Sequence, residues 1–171
     1  TADVVYYGNI HVSFFAGKYP KASVAKACPE SSLEFQKSFT GNVAVVTNGG
    51  GFGVIASDYL IKSGLTLATF SERTMTKLKK ILPAYASIHN PLDLIGDADY
   101  IRYGKALEVL IRDNNVKAIL IIALLQPVSM TPRVIDVIKR VKKKTEKPFV
   151  VCSTGGTYTE KHVAALEKAK I

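Results

Sequence analysis

The stretch Thr47-Asn48-Gly49-Gly50-Gly51-Phe52-Gly53-Val54 decides the reading of this chain. It follows an apolar run, Val43-Ala44-Val45-Val46, and opens an apolar-periodic segment from Phe52 to Ser63. Strand, glycine turn and helix start in that order present bare backbone N–H groups and the positive end of a helix to an anion such as phosphate. Glycine suits the place because a Cβ would hold the backbone away from the anion, and because the turn is expected to need φ > 0. A tight βα turn with no ligand has the same composition, so the loop alone leaves both readings open.

Outward from this loop the pattern is regular. Val43–Thr47 reads as a strand, Phe52–Ser63 as a helix stopped by Gly64, and Leu65–Phe70 as a second strand. Ser71 is placed to N-cap a helix over Ser71–Leu82 that Pro83 ends, and Asp99–Arg112 carries Ala106, Leu107, Leu110 and Ile111 on one helical face. Lys117–Leu125 is a continuous apolar run, the mark of a strand buried on both faces. Thr131–Lys144 reads as a helix with Pro132 in its first turn, Pro148–Ser153 as another buried strand and Tyr158–Lys170 as a last helix. Alternation of this kind predicts a three-layer α/β/α domain with a mainly parallel sheet.

Residues 1–40 break the rhythm and are expected to form an N-terminal appendage to a domain over 41–171. Val4–Tyr7 and Ile10–Phe15 flank Gly8-Asn9 as a hairpin would, and Pro20–Cys28 and Pro29–Phe39 have the length of two short helices. The segment either adds an edge strand to the sheet or is the remnant of a linker. Since the sequence begins at Thr1, it reads as a fragment or processed piece.

Bulk composition narrows the function. Of the 171 residues, 47% are hydrophobic and 22% charged, enough for an ordinary core and against disorder. No apolar run approaches the roughly 18 residues of a membrane span, and no membrane partner is expected. The net charge of +9 is concentrated in Lys139-Arg140-Val141-Lys142-Lys143-Lys144 and Lys147. That run reads as a solvated helix end rather than a nucleic-acid surface, since it lacks interleaved aromatics for stacking bases. Cys28 and Cys152 stand far apart in no metal spacing, so a reduced, cytoplasmic chain with no metal site is the expectation.

Ligands of open parallel sheets sit at the carboxyl ends of the strands. Three segments are expected there: the Gly49–Gly53 loop, Gln126-Pro127, and Ser153-Thr154-Gly155-Gly156. Gly51-Phe52-Gly53-Val54-Ile55-Ala56 also satisfies a dinucleotide-binding glycine pattern, with Glu72 about twenty residues on as the ribose-binding acid. An NAD-binding domain is therefore one alternative, and a non-catalytic α/β interaction module is another. Ser57 and Ser153 have no His or Asp at a spacing that suggests a nucleophile. Asp93, Asp97 and Asp99 are acidic loop residues of the kind that cap helices, with Asp97 the candidate N-cap of the helix that follows.

Gly41-Asn42-Val43-Ala44-Val45-Val46-Thr47-Asn48-Gly49-Gly50-Gly51-Phe52-Gly53-Val54 is similar to the opening of one domain of the NDP-forming acyl-CoA synthetases. That group comprises ADP-forming acetyl-CoA synthetase and its relative succinyl-CoA synthetase. The similarity continues through Asp58, Gly64-Leu65 and Leu82-Pro83 to Asn90-Pro91-Leu92-Asp93-Leu94, where the family has Asn-Pro-Val-Asp. It runs on through Ala106-Leu107, Val116-Lys117-Ala118-Ile119-Leu120, Lys147-Pro148, Gly155-Gly156 and Leu166-Glu167-Lys168-Ala169. Residues 1–40 do not share it.

The resemblance implies a flavodoxin-like domain of the succinyl-CoA synthetase type. It also implies a component of an acid–thiol ligase that converts acyl-CoA, NDP and phosphate to acid, CoA and NTP through an acyl phosphate and a phosphohistidine. On it, Gly49, Gly50, Gly51, Phe52 and Gly53 would offer backbone N–H groups to phosphate or acyl phosphate, with Asn48 as a side-chain donor. Asn90, Pro91 and Asp93, with Gly155 and Gly156, would shape the site, Asn90 and Asp93 by locking backbone amides. The phosphorylated histidine belongs to another domain of the family, and none of His11, His89 or His162 sits in its motif; His89 alone stands near the expected site. No catalytic residue is therefore expected here. The domain alone would hold no cofactor, with CoA, ADP or ATP and Mg bound in the full enzyme by CoA-binding and nucleotide-grasp partners.

Overall fold

The computed structural model describes Val5 and Tyr6, residues 41–154 and Thr159. Its elements are β1 (Val5–Tyr6), β2 (Asn42–Thr47), α1 (Gly50–Lys62), β3 (Thr66–Leu67), α2 (Glu72–Lys79), β4 (Leu92–Asp93), α3 (Tyr100–Leu110), β5 (Ala118–Leu124), α4 (Arg133–Lys142) and β6 (Phe149–Thr154). The remainder of the expected hairpin, the helices over 20–39, Gly155, Gly156 and most of the helix over 158–170 lie outside the described residues.

All the pairings are parallel, and the strands run β1-β6-β5-β2-β3, with β4 on β2 as well. Counted from β2, the order is that of the flavodoxin-like sheet, and β1 stands where that order has its fifth strand. β1 meets β6 with Val5 opposite Val150 and Tyr6 opposite Val151, an edge position. The sheet is a middle layer because its strands are apolar on both faces. Ala44, Val46, Ile119, Ile121 and Val151 face α2, α3 and α4, whereas Val43, Val45, Leu120, Ile122 and Val150 face α1. Residues 43–46 and 119 are fully buried, and the helices on both sides supply the covering that an all-parallel sheet requires.

Local signals hold at several termini. Ser71 Oγ accepts the Thr74 amide, Gly64 stops α1 at φ +82°, and Pro132 immediately precedes α4. At α3 the cap is Asp99, whose carboxylate accepts the Arg102 amide at 2.8 Å. Asp97, the expected cap, pairs instead with the Arg102 guanidinium, which holds its carboxyl below the usual range. The helix begins only at Tyr100, so Asp97 is too far upstream to reach its free amides.

The expected strand over Leu65–Phe70 is reduced to Thr66–Leu67, and β4 is a strand that the apolar pattern does not predict. Both differences have one cause. The β3 side of β2 is taken by an asparagine side chain: Asn90 Oδ1 accepts from Val45 N–H at 2.9 Å, while its Nδ2 donates to Val43 O at 2.7 Å and Ala68 O at 3.0 Å. The amide substitutes for a stretch of strand backbone, so β3 ends below it and β4 begins above it, pairing Val46 with Leu92 and Thr47 with Asp93.

The basic run at the end of α4 is spread over structural partners. Lys144 pairs with Glu108 at 2.7 Å, and Lys147 donates to Asp113 O at 2.6 Å. Among the described residues no helix is long and apolar enough to cross a membrane.

Candidate functional site

The chain leaves β2 for β3 on one side and later returns as β5 on the other. The crevice outside the carboxyl ends of β2 and β5 is therefore the place where this sheet order splits, and ligands collect at such a place. The glycine loop lies there. Gly49 is the N-cap of α1, and the 13-residue helix starts directly behind it with no acidic residue in its first turn. Its positive end is thus uncompensated by its own sequence.

The loop is held by a reciprocal turn. Gly49 N–H donates to Thr47 Oγ1 at 2.9 Å, and that hydroxyl lies 3.2 Å from Gly49 O. Phe52 and Gly53 donate their amides back to Gly49 O, at 2.9 and 3.3 Å. Of the five amides expected to meet phosphate, those of Gly49, Phe52 and Gly53 are consequently committed within the loop. The amides of Gly50 and Gly51 remain, at the first two helical positions, where no intrahelical acceptor exists.

The expectation of φ > 0 in this loop is also corrected. Among the described glycines only Gly41 and Gly64 have it, and Gly49 sits at φ −139°. Crowding explains the glycines instead. A Cβ on Gly49 would stand 2.5 Å from Leu124 Cδ1, one on Gly50 would run into Asp93 Oδ2, and one on Gly53 would lie 3.0 Å from Thr47 Cγ2 and 3.2 Å from Pro91 Cβ. Gly51 differs from all three, for nothing lies within 4 Å of its Cβ position and the residue is exposed.

The two motifs of the sequence meet at these contacts. Pro91 backs Gly53, Asp93 abuts Gly50, and Leu94 N–H donates to Thr47 O at 2.6 Å. Asp93 turns the following loop by accepting the Ile95 amide at 2.9 Å, Ile95 having φ +69°.

Asn48, expected as a side-chain donor to phosphate, is turned into the core. It is 2% exposed, its Nδ2 donates to Leu124 O at 3.0 Å, and its Oδ1 accepts Leu124 N–H and the Tyr103 hydroxyl, each at 2.9 Å. These bonds clamp the start of the loop to the end of β5. Tyr103, absent from the sequence-based candidates, is buried completely, and burial pushes its hydroxyl well above the usual tyrosine range, with the Asp93 charge adding to that and Asn48 opposing it. Only its place on the buried face of an amphipathic helix was visible beforehand, and any core tyrosine shares that signal.

The remaining candidates lie apart from this convergence or serve the fold. His89 is exposed and lines a shallow cavity of about 270 Å³ with Leu67, Phe70 and Met75 on the β3 edge, which no residue of the glycine loop lines. Ser57 and Ser153 donate to Gly53 O at 2.8 Å and Ala123 O at 2.7 Å, as buried hydroxyls that stay in the core. Burial pushes the Cys152 thiol up to about 11, which leaves it unreactive at neutral pH. Among the described residues no group of three or more His, Cys, Asp or Glu is placed to hold a metal ion.

The profile of the Ligase-CoA domain matches residues 43–171. The chain belongs to that family. Within it, the Ligase-CoA domain described here is 35% identical over 140 residues to the ADP-forming acetate–CoA ligase I of Archaeoglobus fulgidus, covering 81% of this chain and 19% of that protein. It is 34% identical over 149 residues to the α subunit of the ADP-forming acetate–CoA ligase II of Pyrococcus furiosus, covering 81% of this chain and 33% of that subunit. A solved structure of the dinucleotide-forming acetyl-coenzyme A synthetase 1 of Ca. Korarchaeum cryptofilum, in complex with phosphate and ADP, superposes with a TM-score of 0.70 at 30% identity, over 76% of this chain and 28% of that one. A Pyrococcus horikoshii structure, PH0766, superposes with a TM-score of 0.72 at 35% identity, over 77% and 31%. The sequence-based assignment to the NDP-forming acyl-CoA synthetases and to a flavodoxin-like α/β fold is thus borne out. The chain spans only 19% to 33% of these relatives, the extent of one domain or part of a subunit.

Proposed function

We propose that this Ligase-CoA domain supplies a backbone phosphate site to an NDP-forming acyl-CoA synthetase completed by CoA-binding and nucleotide-grasp partners. In that enzyme, acyl-CoA, NDP and phosphate give acid, CoA and NTP by way of an acyl phosphate and a phosphohistidine carried elsewhere. The carrying observation is the pair of amides of Gly50 and Gly51, left without intrahelical acceptors at the positive end of α1, where the sheet order splits. Donors held by a rigid loop need no reorganisation as charge develops on a transferred phosphoryl group, which is the larger part of catalysis in such transfers. Phosphate bound in the Korarchaeum synthetase supports the ligand class. Asp93 beside Gly50 is a negative charge at the same helix end, so it opposes a free anion while ordering the loop.

CoA, the adenine nucleotide and its Mg fall to the partners.

The test is reconstitution with the partner domains and assay of acyl-CoA-dependent NTP formation. Gly51→Val places a branched side chain where phosphate would sit, in space the fold leaves open. By keeping phosphate from the amides, it is expected to lower the rate about 10²- to 10³-fold, comparable to removing one such donor. An unchanged rate in the folded variant would show that the loop does not serve the reaction.

A further inference from the structure

Tyr103 holds the one hydroxyl that reaches from α3 to the glycine loop, and its burial leaves it no solvent to bond. A phenylalanine would fill the same space among the aliphatic side chains around it. A hydroxyl is costly in such a place unless bonded. Here it lies 2.9 Å from both Asn48 Oδ1 and Ile122 O, and its single proton is shared between them or given to one.

Asn48 already has the Leu124 backbone on both ends of its amide. The Tyr103 hydroxyl faces the second lone pair of Oδ1, and with its proton directed there it fixes the orientation of a side chain otherwise held by Leu124 alone. Asn48 is bonded covalently to Gly49, the N-cap of α1. Next to Tyr103 on the same helix, Arg102 donates to Leu94 O at 2.8 Å and pairs with Asp97, holding the loop from which Asp93 abuts Gly50. One helix thus braces the glycine loop from two directions.

We infer that Tyr103 is a positioning residue for the phosphate site: through Asn48, its buried hydroxyl sets where α1 presents the Gly50 and Gly51 amides. The inference rests on the phosphate reading above, and it matters because small displacements of reacting groups carry large kinetic costs.

The experiment compares the wild-type chain with Tyr103→Phe and Val141→Ala. Val141 is fully buried near the far end of α4 and no hydrogen bond to the glycine loop runs through its side chain, so its truncation supplies a loss of stability by core packing alone. Two readouts are taken by NMR: exchange of the Gly49 amide, and the shifts of the Gly50 and Gly51 amides on titration with inorganic phosphate. Tyr103→Phe is expected to speed Gly49 exchange and weaken phosphate binding, each about five- to tenfold, the range of one lost hydrogen bond. Val141→Ala is expected to change neither at the same protein concentration, whatever its melting temperature. If Tyr103→Phe matches Val141→Ala in both readouts, the positioning role is wrong. If the exchange rates separate but wild-type Gly50 and Gly51 ignore phosphate, Tyr103 does brace the loop and the phosphate reading is what fails.

Discussion

The two flanks of β2 are built by different means. Toward β5 the ladder is unbroken from Val43 opposite Ala118 to Thr47 opposite Ile122, and the Asn48 side chain carries it one step further onto Leu124. Toward β3 and β4 the ladder is interrupted, and the Asn90 side chain fills the interruption. In both places an asparagine amide, which has one donor side and one acceptor side like a peptide group, stands in for backbone. One extends regular structure to the base of the glycine loop; the other lets two short strands share an edge and brings Pro91 and Asp93 against that loop. Regularity on one flank and interruption on the other together place the two motifs in contact.

The largest effect is expected where the substitute backbone lies deepest. Asn90→Ala strands Val45 N–H and Ala68 O and leaves Val43 O with the Ala68 amide alone, and should cost about 2–4 kcal/mol of unfolding free energy in a urea titration. A loss under about 1 kcal/mol would mean that the broken flank has other support. Gly49→Ala comes next. It forces a Cβ toward the movable Cδ1 end of the half-buried Leu124 and should cost about 1 kcal/mol by the same measurement.

Asp93→Asn tests the interrupted flank, since it keeps an acceptor for the Ile95 amide while removing a charge beside Gly50. Inorganic phosphate should then bind about three- to tenfold more tightly at low ionic strength, consistent with one like-charge contact in a largely aqueous setting. Weaker binding would assign the carboxylate a direct part in holding the ligand.

A smaller effect concerns pH. Burial raises the Tyr103 hydroxyl pKa above its unfolded value of 10.0, so the folded state keeps a proton that the unfolded chain releases. Stability from this group is complete below about pH 10 and declines as pH rises through the folded value. Tyr103→Phe should flatten that alkaline decline relative to wild type; parallel stability curves would show that the hydroxyl ionises as freely in the fold as outside it.

Much of this was legible in advance because it follows from period and punctuation. The apolar run at Lys117–Leu125, the stop at Gly64 and the Ser71 cap each depend on residues close in sequence. What escaped depends on partners distant in sequence. The end of β3 and the start of β4 are decided by Asn90, 45 residues from the strand atom it bonds. The loop's glycines were expected to serve φ > 0, yet Gly49, Gly50 and Gly53 answer to Leu124, Asp93 and Pro91, which only the folded chain brings near. Asn48 carries a hydrogen-bonding side chain whatever its role, and its commitment to Leu124 and Tyr103 could not be read from that chemistry. The site's location was visible, while the division of its amides into spent and open was not.

Gly51 separates function from architecture most cleanly, because it is the loop glycine whose side-chain position faces open space. The most direct measurement is therefore a phosphate titration of wild type and Gly51→Val, with thermal melts of both and an NADH titration of wild type alongside. Wild type is expected to bind phosphate weakly and Gly51→Val to lose that binding, with stabilities that agree within about 0.5 kcal/mol, as for a surface substitution, and no response to NADH. Phosphate binding that survives Gly51→Val, or micromolar binding of NADH, would contradict the phosphate reading.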